Sequence, residues 1–317
     1  MKLRYSVVAP IYNEEDLLDE FYQRVRTTMT ALGEPWELVL VNDGCDDRSP
    51  EMMDALFEHD PDHIVIVHFA RNFGHQLAIT AGMDHARGDA VVTIDSDLQD
   101  PPEVIPDLIA KWEQGYEIVY AIRAEREGET WFKLFTAELF YKLIQRITDV
   151  TITMEAGDFR LMDRKALTYL QEMREHNRFI RAMTSWVGFR QIGVPYHRQA
   201  RKAGETKYTF RKMLRLALDA IVGFSMLPLN LVFWMGSGAV GIGVLMAVVL
   251  FVLRLQGSVP LVGQGLTASL VLFMGGAQLI MTGILGQYIG RIYDEVRRRP
   301  LYTVREVKRL DRDIRSE

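Results

Sequence analysis

Short apolar runs alternate with longer segments of mixed polarity through the first 121 residues of the chain. Five runs are rich in β-branched side chains, which is typical of buried strands, and they cover residues 5–10, 36–41, 64–69, 90–94 and 117–121. The segment after the first run has apolar residues at positions 17, 18, 21 and 25, the spacing of one helix face. Strands that alternate with helices in this way favour an α/β fold with a mostly parallel sheet and helices on both faces.

Two later stretches have no charged residue: residues 231–253 and residues 265–290, which are 23 and 26 residues long. Arg254 is the one charged residue between Asp219 and Arg291. Each stretch is long enough to cross a hydrocarbon core of about 30 Å at a helical rise of about 1.5 Å per residue. The pattern predicts two transmembrane helices, and a pair of buried core helices is the alternative.

Basic residues flank both stretches. Seven Lys or Arg residues lie between Arg198 and Arg215, and nine lie between Arg291 and the C-terminus. The positive-inside rule therefore predicts a helical hairpin in an integral inner (plasma) membrane protein, with both chain termini in the cytosol. Glycines within both stretches would let helices pack closely, so a homo-oligomer is a candidate assembly.

The segment before these stretches is amphipathic in two places. Residues 130–147 place apolar side chains at helical spacing with Lys133, Lys142 and Arg146 between them. A helix of this kind is typical of a membrane surface, although a core-packed helix has the same spacing. The predicted organisation is a cytosolic α/β domain at 1–209 that includes an interface helix at 130–148, a second interface helix at 210–230, transmembrane helices at 231–253 and 265–290, and a basic cytosolic tail at 291–317.

Composition narrows the class of protein. Hydrophobic residues make up 48% of the 317 residues and charged residues 25%, which are ordinary globular values. The formal net charge of -5 argues against a general nucleic-acid binder. The single cysteine, Cys45, excludes an internal disulfide framework and fits a reducing compartment. The N-terminal apolar run is too short for a signal peptide.

Acidic residues follow three of the predicted strands. Asp95 and Asp97 come directly after the fourth strand, while Glu14 and Asp43 follow the first and second. Residues i and i+2 of an extended segment point the same way, and open α/β sheets bind ligands beyond the carboxyl ends of their strands. Hard oxygen ligands suit Mg²⁺ or Mn²⁺, which usually also hold a substrate's phosphates, and Gln99 offers a third oxygen. An acidic loop without a ligand is the simpler alternative.

Other segments supply groups for anion binding. The sequence has neither Gly-x-Gly-x-x-Gly after the first strand nor a P-loop, so a metal and basic side chains would have to hold a diphosphate. Arg123, just after the fifth strand, is well placed for that role. Asp158 and Arg160 put a carboxylate and a guanidinium two residues apart, and residues 198–207 are a basic, Gly-containing loop.

Four motifs together resemble a known family. They are Val8-Ala9-Pro10-Ile11-Tyr12-Asn13-Glu14, Val41-Asn42-Asp43-Gly44, Asp95-Ser96-Asp97-Leu98-Gln99-Asp100-Pro101-Pro102-Glu103 and Gly157-Asp158-Phe159-Arg160. In this order they resemble the family 2 glycosyltransferases of the GT-A fold. More narrowly, they are similar to the polyprenyl-phosphate glycosyltransferases, the group of dolichol-phosphate mannose synthases and bactoprenol glucosyltransferases. The segment Gly286-Gln287-Tyr288-Ile289-Gly290-Arg291-Ile292-Tyr293 is similar to the bactoprenol branch, so the resemblance covers nearly the whole chain.

The resemblance implies a role for each motif. Asp95 and Asp97 would coordinate Mg²⁺ or Mn²⁺, with Gln99 assisting. The nucleotide-sugar pocket would be lined by Pro10, Tyr12, Glu14, Asp43, Asp95 and Arg123. Asp158 and Arg160 would be the catalytic pair, and Arg201, Lys207 and Lys133 would contact the acceptor phosphate. The chain departs from many relatives at His75, where lysine is common in the bactoprenol branch, and at Thr206, where many have serine.

The implied reaction is an inverting, metal-dependent transfer of a hexose from a nucleotide-diphosphate sugar to polyprenyl (undecaprenyl) phosphate at the cytosolic membrane face. UDP-glucose is the first choice of donor. UDP-N-acetylglucosamine, UDP-galactose, UDP-aminoarabinose and GDP-mannose remain open. The implied fold is a GT-A catalytic domain followed by a two-helix transmembrane hairpin.

Three alternatives carry less support. A processive polysaccharide synthase of the same superfamily would have a Gln-x-x-Arg-Trp motif, and none of the five tryptophans here follows an arginine. A non-enzymatic membrane scaffold would not need acidic residues at the ends of three strands. A nucleotidyltransferase would release pyrophosphate instead of a nucleoside diphosphate.

Overall fold

The computed structural model describes residues 2–123, 156–197, 227–256 and 264–310. The chain divides into two compact units. The first comprises Met1–Gln145, Val150–Tyr208 and Pro300–Glu317, and the second comprises Arg146–Asp149 and Thr209–Arg299. The interface helix predicted at 130–148 lies outside the described residues, as does most of the one predicted at 210–230.

The described part of the first unit is built on a mixed sheet of eight strands. In chain order they are β1 (Tyr5–Ile11), β2 (Trp36–Asn42), β3 (Ile64–Phe69), β4 (Ala90–Thr93), β5 (Ile118–Arg123), β6 (Ala156–Asp163), β7 (Gln191–Tyr196) and β8 (Val304–Lys308). Their order across the sheet is β7-β5-β6-β4-β1-β2-β3-β8. Strand β1 pairs in parallel with β2 and β4, β2 with β3, and β5 with β7, whereas β6 and β8 run antiparallel to their neighbours. The five predicted strands and the mostly parallel α/β sheet are confirmed.

Helices cover both faces of this sheet. They are α1 (Leu18–Ala31), α2 (Ser49–His59), α3 (His75–His85), α4 (Ile105–Glu113, preceded by the 3-10 turn Pro102–Val104), α5 (Arg164–Glu172) and α6 (Ile180–Trp186). Val7 and Ala9 of β1 join the core that contains α1, α2 and α4, while Val8 between them joins the core that contains α3, α5 and α6. The period-2 alternation of an apolar strand therefore feeds two cores, one on each face.

Gly82 lets α3 approach the sheet closely. A Cβ atom at this position would lie 2.1 Å from Val8 Cγ1 and 3.2 Å from Val41 Cγ2. We expect Gly82→Ala to lower the free energy of unfolding by about 1–3 kcal/mol, because an overpacked core must shift its side chains or backbone. Urea unfolding measures this change. The double variant with Val8→Ala should recover part of the loss, and a double variant as unstable as the sum of the single ones would contradict the clash.

The C-terminal segment returns to the first unit. Strand β8 pairs antiparallel with β3, and the amide of Ala70 donates to the carbonyl of Thr303 at 3.0 Å. The Tyr302 ring stacks on Phe69 with centroids 5.1 Å apart, and its hydroxyl donates to Asp84 at 2.8 Å. Part of the segment predicted as a basic tail at 291–317 is thus an edge strand. The sequence pattern missed it because Val304–Lys308 carries three charged residues in five.

Two long helices form the described part of the second unit. They are α7 (Leu227–Leu255) and α8 (Gln264–Arg297), and α8 runs past the predicted boundary at residue 290 to include Arg291, Asp294 and Glu295. Across the described residues, no helix combines the length and the apolar character needed to cross a membrane. The predicted location as an integral membrane protein with cytosolic termini is therefore wrong, and the predicted transmembrane hairpin is not confirmed.

Candidate active site

The carboxyl ends of β1, β2 and β4 lie side by side. Strand β1 is central, and its register aligns Ile11 with Asn42 of β2 and Val8 with Thr93 of β4. Because the three strands run parallel, the residues that follow them share one edge of the sheet. These residues include Glu14, Asp43, Asp95 and Asp97.

Hydrogen bonds join the loops at this edge. Ser96 Oγ donates to the carbonyl of Pro10 at 3.1 Å, which ties the loop after β4 to β1. The amide of Asp46 donates to Asn13 Oδ1 at 2.9 Å, and the amide of Glu14 donates to Ser49 Oγ at 3.0 Å. Tyr12 is 42% exposed between these contacts. The structure thus fixes the backbone around Tyr12 and leaves its ring accessible, as stacking on a nucleobase would require.

Asp43 is buried and holds a neighbouring loop. Its carboxylate accepts the backbone N–H of Phe73 at 2.7 Å and that of Gly74 at 3.0 Å. Burial raises the pKa of Asp43, and these two N–H groups oppose the rise. Gly44 follows with a φ of +69°, and a Cβ there would lie 2.4 Å from the amide nitrogen of Asn72. Asp43 therefore anchors Phe73 and Gly74 to the end of β2, and its place in the nucleotide pocket stays a prediction.

The Asp95 carboxylate at this edge has one buried oxygen and lies near other negative charges. Asp95 Oδ1 is buried and has no hydrogen-bond partner among the described residues, and His75 Nε2 lies 3.5 Å from it. Burial raises the pKa of Asp95 to about 6, with His75 opposing and the charges of Asp158, Asp100 and Asp97 adding to the rise. A bound cation would relieve this repulsion.

The carboxylates of Asp95 and Asp97 suit a divalent cation that is also coordinated by a bound phosphate. Within the described ranges no group of three or more His, Cys, Asp or Glu side chains forms a metal-binding cluster. Mg²⁺ is commonly held by one or two carboxylates together with substrate phosphates and water. Asp97 Oδ1 accepts the backbone N–H of Gln99 at 3.0 Å, so this turn fixes the second carboxylate. Asp95 and Asp97 therefore suit a metal ion whose remaining coordination positions are filled by a diphosphate and water.

Asp158 lies at the centre of a second cluster. Strand β6 pairs with β4 and brings Asp158 next to α3 and α6. Its Oδ2 lies 3.3 Å from His75 Nε2 and accepts Gln76 Nε2 at 3.2 Å, while Arg181 Nε donates to Oδ1 at 3.0 Å and Arg181 Nη2 to Oδ2 at 3.2 Å. Burial alone would raise the pKa of Asp158, but the His75 and Arg181 contacts hold it well below its usual range. The carboxylate is therefore ionised and occupied on both oxygens.

Arg160 points into the protein. Its side chain is 2% exposed, and its guanidinium donates to Thr184 Oγ1 and to the carbonyl of Gly157. Burial lowers the pKa of Arg160 to about 10. The residue predicted as a catalytic partner of Asp158 thus braces the strand and helix that carry the cluster.

Sequence reasoning missed Gln76 and Arg181 and left His75 without a role. His75 and Gln76 lie in the first turn of α3. Arg181 lies in the first turn of α6, 23 positions after Asp158 in the chain. No local pattern marks these side chains, because their function depends on how α3, β6 and α6 pack. Arg123 ends β5 and aligns with Tyr196 of β7 in the backbone register. Lys133, Arg201 and Lys207 lie outside the described residues.

Comparisons with known proteins find relatives over nearly the whole chain. A family model described as "Glycosyl transferase family 2" matches residues 6–170. The chain is 48% identical to the uncharacterized glycosyltransferase YkcC of Bacillus subtilis, covering 98% of both chains. It is 40% identical to the bactoprenol glucosyl transferase of Shigella phage SfII, covering 97% of this chain and 99% of that protein. Among solved structures, glucosyl-3-phosphoglycerate synthase from Mycobacterium tuberculosis with Mn²⁺, UDP and glucosyl-3-phosphoglycerate is 17% identical with a TM-score of 0.46, covering 69% of this chain and 78% of that one.

Proposed function

The chain belongs to glycosyl transferase family 2 and is a glycosyltransferase, and from this premise we propose that it transfers a hexose from a nucleotide-diphosphate sugar to polyprenyl phosphate. The observation that carries the proposal is the pair Asp95 and Asp97 at the shared strand ends, where one buried carboxylate oxygen has no hydrogen-bond partner among the described residues. The acceptor is inferred from the relative named bactoprenol glucosyl transferase. UDP-glucose is the first donor to test, ahead of the other UDP-sugars and GDP-mannose.

The reaction exchanges one bond at the anomeric carbon. An oxygen of the acceptor phosphate attacks that carbon, and the bond to the donor diphosphate breaks with its electron pair leaving on the nucleoside diphosphate. A phosphate monoester has a second pKa of about 6, so the acceptor is largely dianionic at neutral pH and needs little help from a base. Direct displacement inverts the anomeric configuration.

Different residues at the strand ends would bind different parts of the donor. Tyr12 and Glu14 lie on the loop after β1, where a nucleoside would sit. Asp95 and Asp97 would hold Mg²⁺ or Mn²⁺. When bound, such an ion neutralises the negative charge of the leaving diphosphate. Asp43 acts indirectly, because it fixes the loop that leads into His75 and Gln76.

A donor screen tests the proposal. Purified protein is incubated with polyprenyl phosphate in detergent, with each radiolabelled donor in turn, and with Mg²⁺, Mn²⁺ or a chelator. We expect label in the lipid fraction with one donor, no label when polyprenol replaces polyprenyl phosphate, and no transfer under chelation. Absence of transfer with all the named donors would refute the proposed acceptor. An α-linked donor should give a β-linked product by NMR, and retention of configuration would refute direct displacement.

A further inference from the structure

Four contacts stabilise the ionised form of Asp158, so this carboxylate is a poor general base. Both of its oxygens accept hydrogen bonds from cationic or amide donors, and two of these come from the same guanidinium, that of Arg181. A carboxylate in a bidentate pair with arginine fixes the orientation of the arginine as firmly as the arginine fixes the carboxylate. The consequence of this cluster is therefore a guanidinium held in one place.

A chain of contacts between charged side chains connects Asp95 to Arg181. Asp95 Oδ1 lies 3.5 Å from His75 Nε2, and the same His75 nitrogen lies 3.3 Å from Asp158 Oδ2. Arg181 Nη2 contacts Asp158 Oδ2 in turn, at 3.2 Å. Arg181 is therefore linked to Asp95 through His75 and Asp158, with one contact at each step.

Arg181 is also the member of the ion pair that solvent reaches. Its side chain is 34% exposed, whereas the Asp158 side chain is 7% exposed and Arg160 is 2% exposed. Gln76 fixes the start of the helix that carries Arg181, because Gln76 Oε1 accepts the amide of Ile180 at 3.1 Å while its Nε2 donates to Asp158. The structure thus presents, at the Asp158 cluster, one oriented guanidinium that solvent reaches.

We propose that Arg181 binds the phosphate of the acceptor, that Asp158 serves to orient Arg181, and that Gln76 is a positioning residue for both. This inference rests on the proposed function, since it names the group that receives the acceptor in the same site. Two anions, the donor diphosphate and the acceptor phosphate, must approach each other during the reaction. A fixed guanidinium on the acceptor side lowers that repulsion and aligns the attacking oxygen.

Steady-state kinetics of Arg181→Gln test the role of the arginine. We expect kcat/KM for polyprenyl phosphate to fall about 100-fold, a typical loss for one charge-stabilising donor, while the affinity for the nucleotide sugar changes by less than about twofold. Slow hydrolysis of the donor by water should persist, because it requires no acceptor phosphate. Arg181→Lys should recover part of the loss through its charge, but not all of it, because it lacks the bidentate fork.

Matched variants separate binding from folding. Arg190→Gln removes an exposed arginine that stacks on Tyr116, and it should leave both kinetic constants unchanged. Gln76→Ala should weaken acceptor use more than donor use, in the same sense as Arg181→Gln but to a smaller extent. If Arg181→Gln fails to fold, Arg181→Lys supplies the same comparison of acceptor and donor constants.

The outcomes are distinguishable from failure of the proposed function. Wild-type protein that transfers no sugar to polyprenyl phosphate refutes the function itself. Wild-type transfer together with an Arg181→Gln variant whose acceptor kcat/KM falls less than about threefold refutes the inference alone. An equal loss of donor affinity in Arg181→Gln would place Arg181 on the donor and refute it as well.

Discussion

Replacement of Asp95 by asparagine abolishes sugar transfer, with an expected fall in kcat/KM of at least about 1000-fold. The amide keeps the shape of the side chain but removes the charge that a divalent cation requires. Asp95 Oδ1 is the buried oxygen without a hydrogen-bond partner in the described part of the site, which supports the proposal that it binds a ligand. Initial rates with the identified donor measure the loss, and Mn²⁺ titration followed by electron paramagnetic resonance measures the metal site directly.

The same substitution should stabilise the metal-free protein. The folded-state pKa of Asp95 is raised from its usual 3.8 to about 6, so the cost of ionising it grows as the pH rises between these two values and is complete above the folded value. We expect Asp95→Asn to raise the free energy of unfolding by about 1–2 kcal/mol at about pH 8. The gain should shrink as the pH falls through about 6 and vanish below about 4, where the carboxyl is protonated in both states.

Asp46→Asn is the matched control for both measurements. Asp46 is an exposed carboxylate in the loop after β2, at the same edge of the sheet. It should change neither transfer nor the pH profile of stability. An Asp95→Asn enzyme with near-normal activity would show that the donor site has been assigned to the wrong carboxylates.

A chain that ends after Arg299 should unfold at a lower temperature than the full chain. Loss of residues 300–317 removes β8, the stacking of Tyr302 on Phe69 and the ion pair between Lys308 Nζ and Asp54 Oδ1 at 2.9 Å. Burial of one or two large side chains is worth about 3 kcal/mol, which corresponds to a fall in Tm of roughly 6–12 °C for a unit of this size. Differential scanning calorimetry measures the shift.

The truncation should also lower activity, because β8 is connected to the site. Lys308 pairs with Asp54, His68 Nε2 lies 3.2 Å from Asp54, and His68 Nδ1 lies 2.9 Å from the side-chain amide of Asn42. Asn42 in turn accepts the amide of Cys45 at 2.9 Å in the loop after β2. We expect transfer to fall about tenfold when this support is lost.

A chain that ends after Leu310 is the control for the truncation. It retains β8 and the Lys308 contact, so its Tm and its transfer rate should match those of the full chain. An Arg299-terminated chain with unchanged Tm would show that β8 adds nothing to the stability of the first unit.

The family resemblance and the core of the fold were within reach of the sequence. Apolar runs of four to seven residues form β1 to β5 because strand-forming side chains and their period are local properties of the chain. The acidic residues after β1, β2 and β4 share an edge because parallel strands end together. The resemblance carried by these motifs is confirmed by the family match over residues 6–170.

Tertiary structure decided how the remaining residues act. Asp158 was named from its motif, yet its ionised, doubly occupied state depends on His75, Gln76 and Arg181, which three separate elements bring together. Arg160, two residues away on the same strand, turns out to lie in the interior. Spacing along a strand shows which residues share a face, but not which of them the next layer covers.

Sequence by itself therefore determined the first five strands with the helices between them, and the placement of Asp95 and Asp97 at a strand end, since both follow from local pattern and strand direction. Packing alone decided that β6 inserts antiparallel between β4 and β5, that β8 closes the far edge, and that Arg181 pairs with Asp158. The physical reason is that pairing across a sheet and contacts between helices join residues far apart in the chain. Those contacts are chosen by the whole core, and no short segment encodes them.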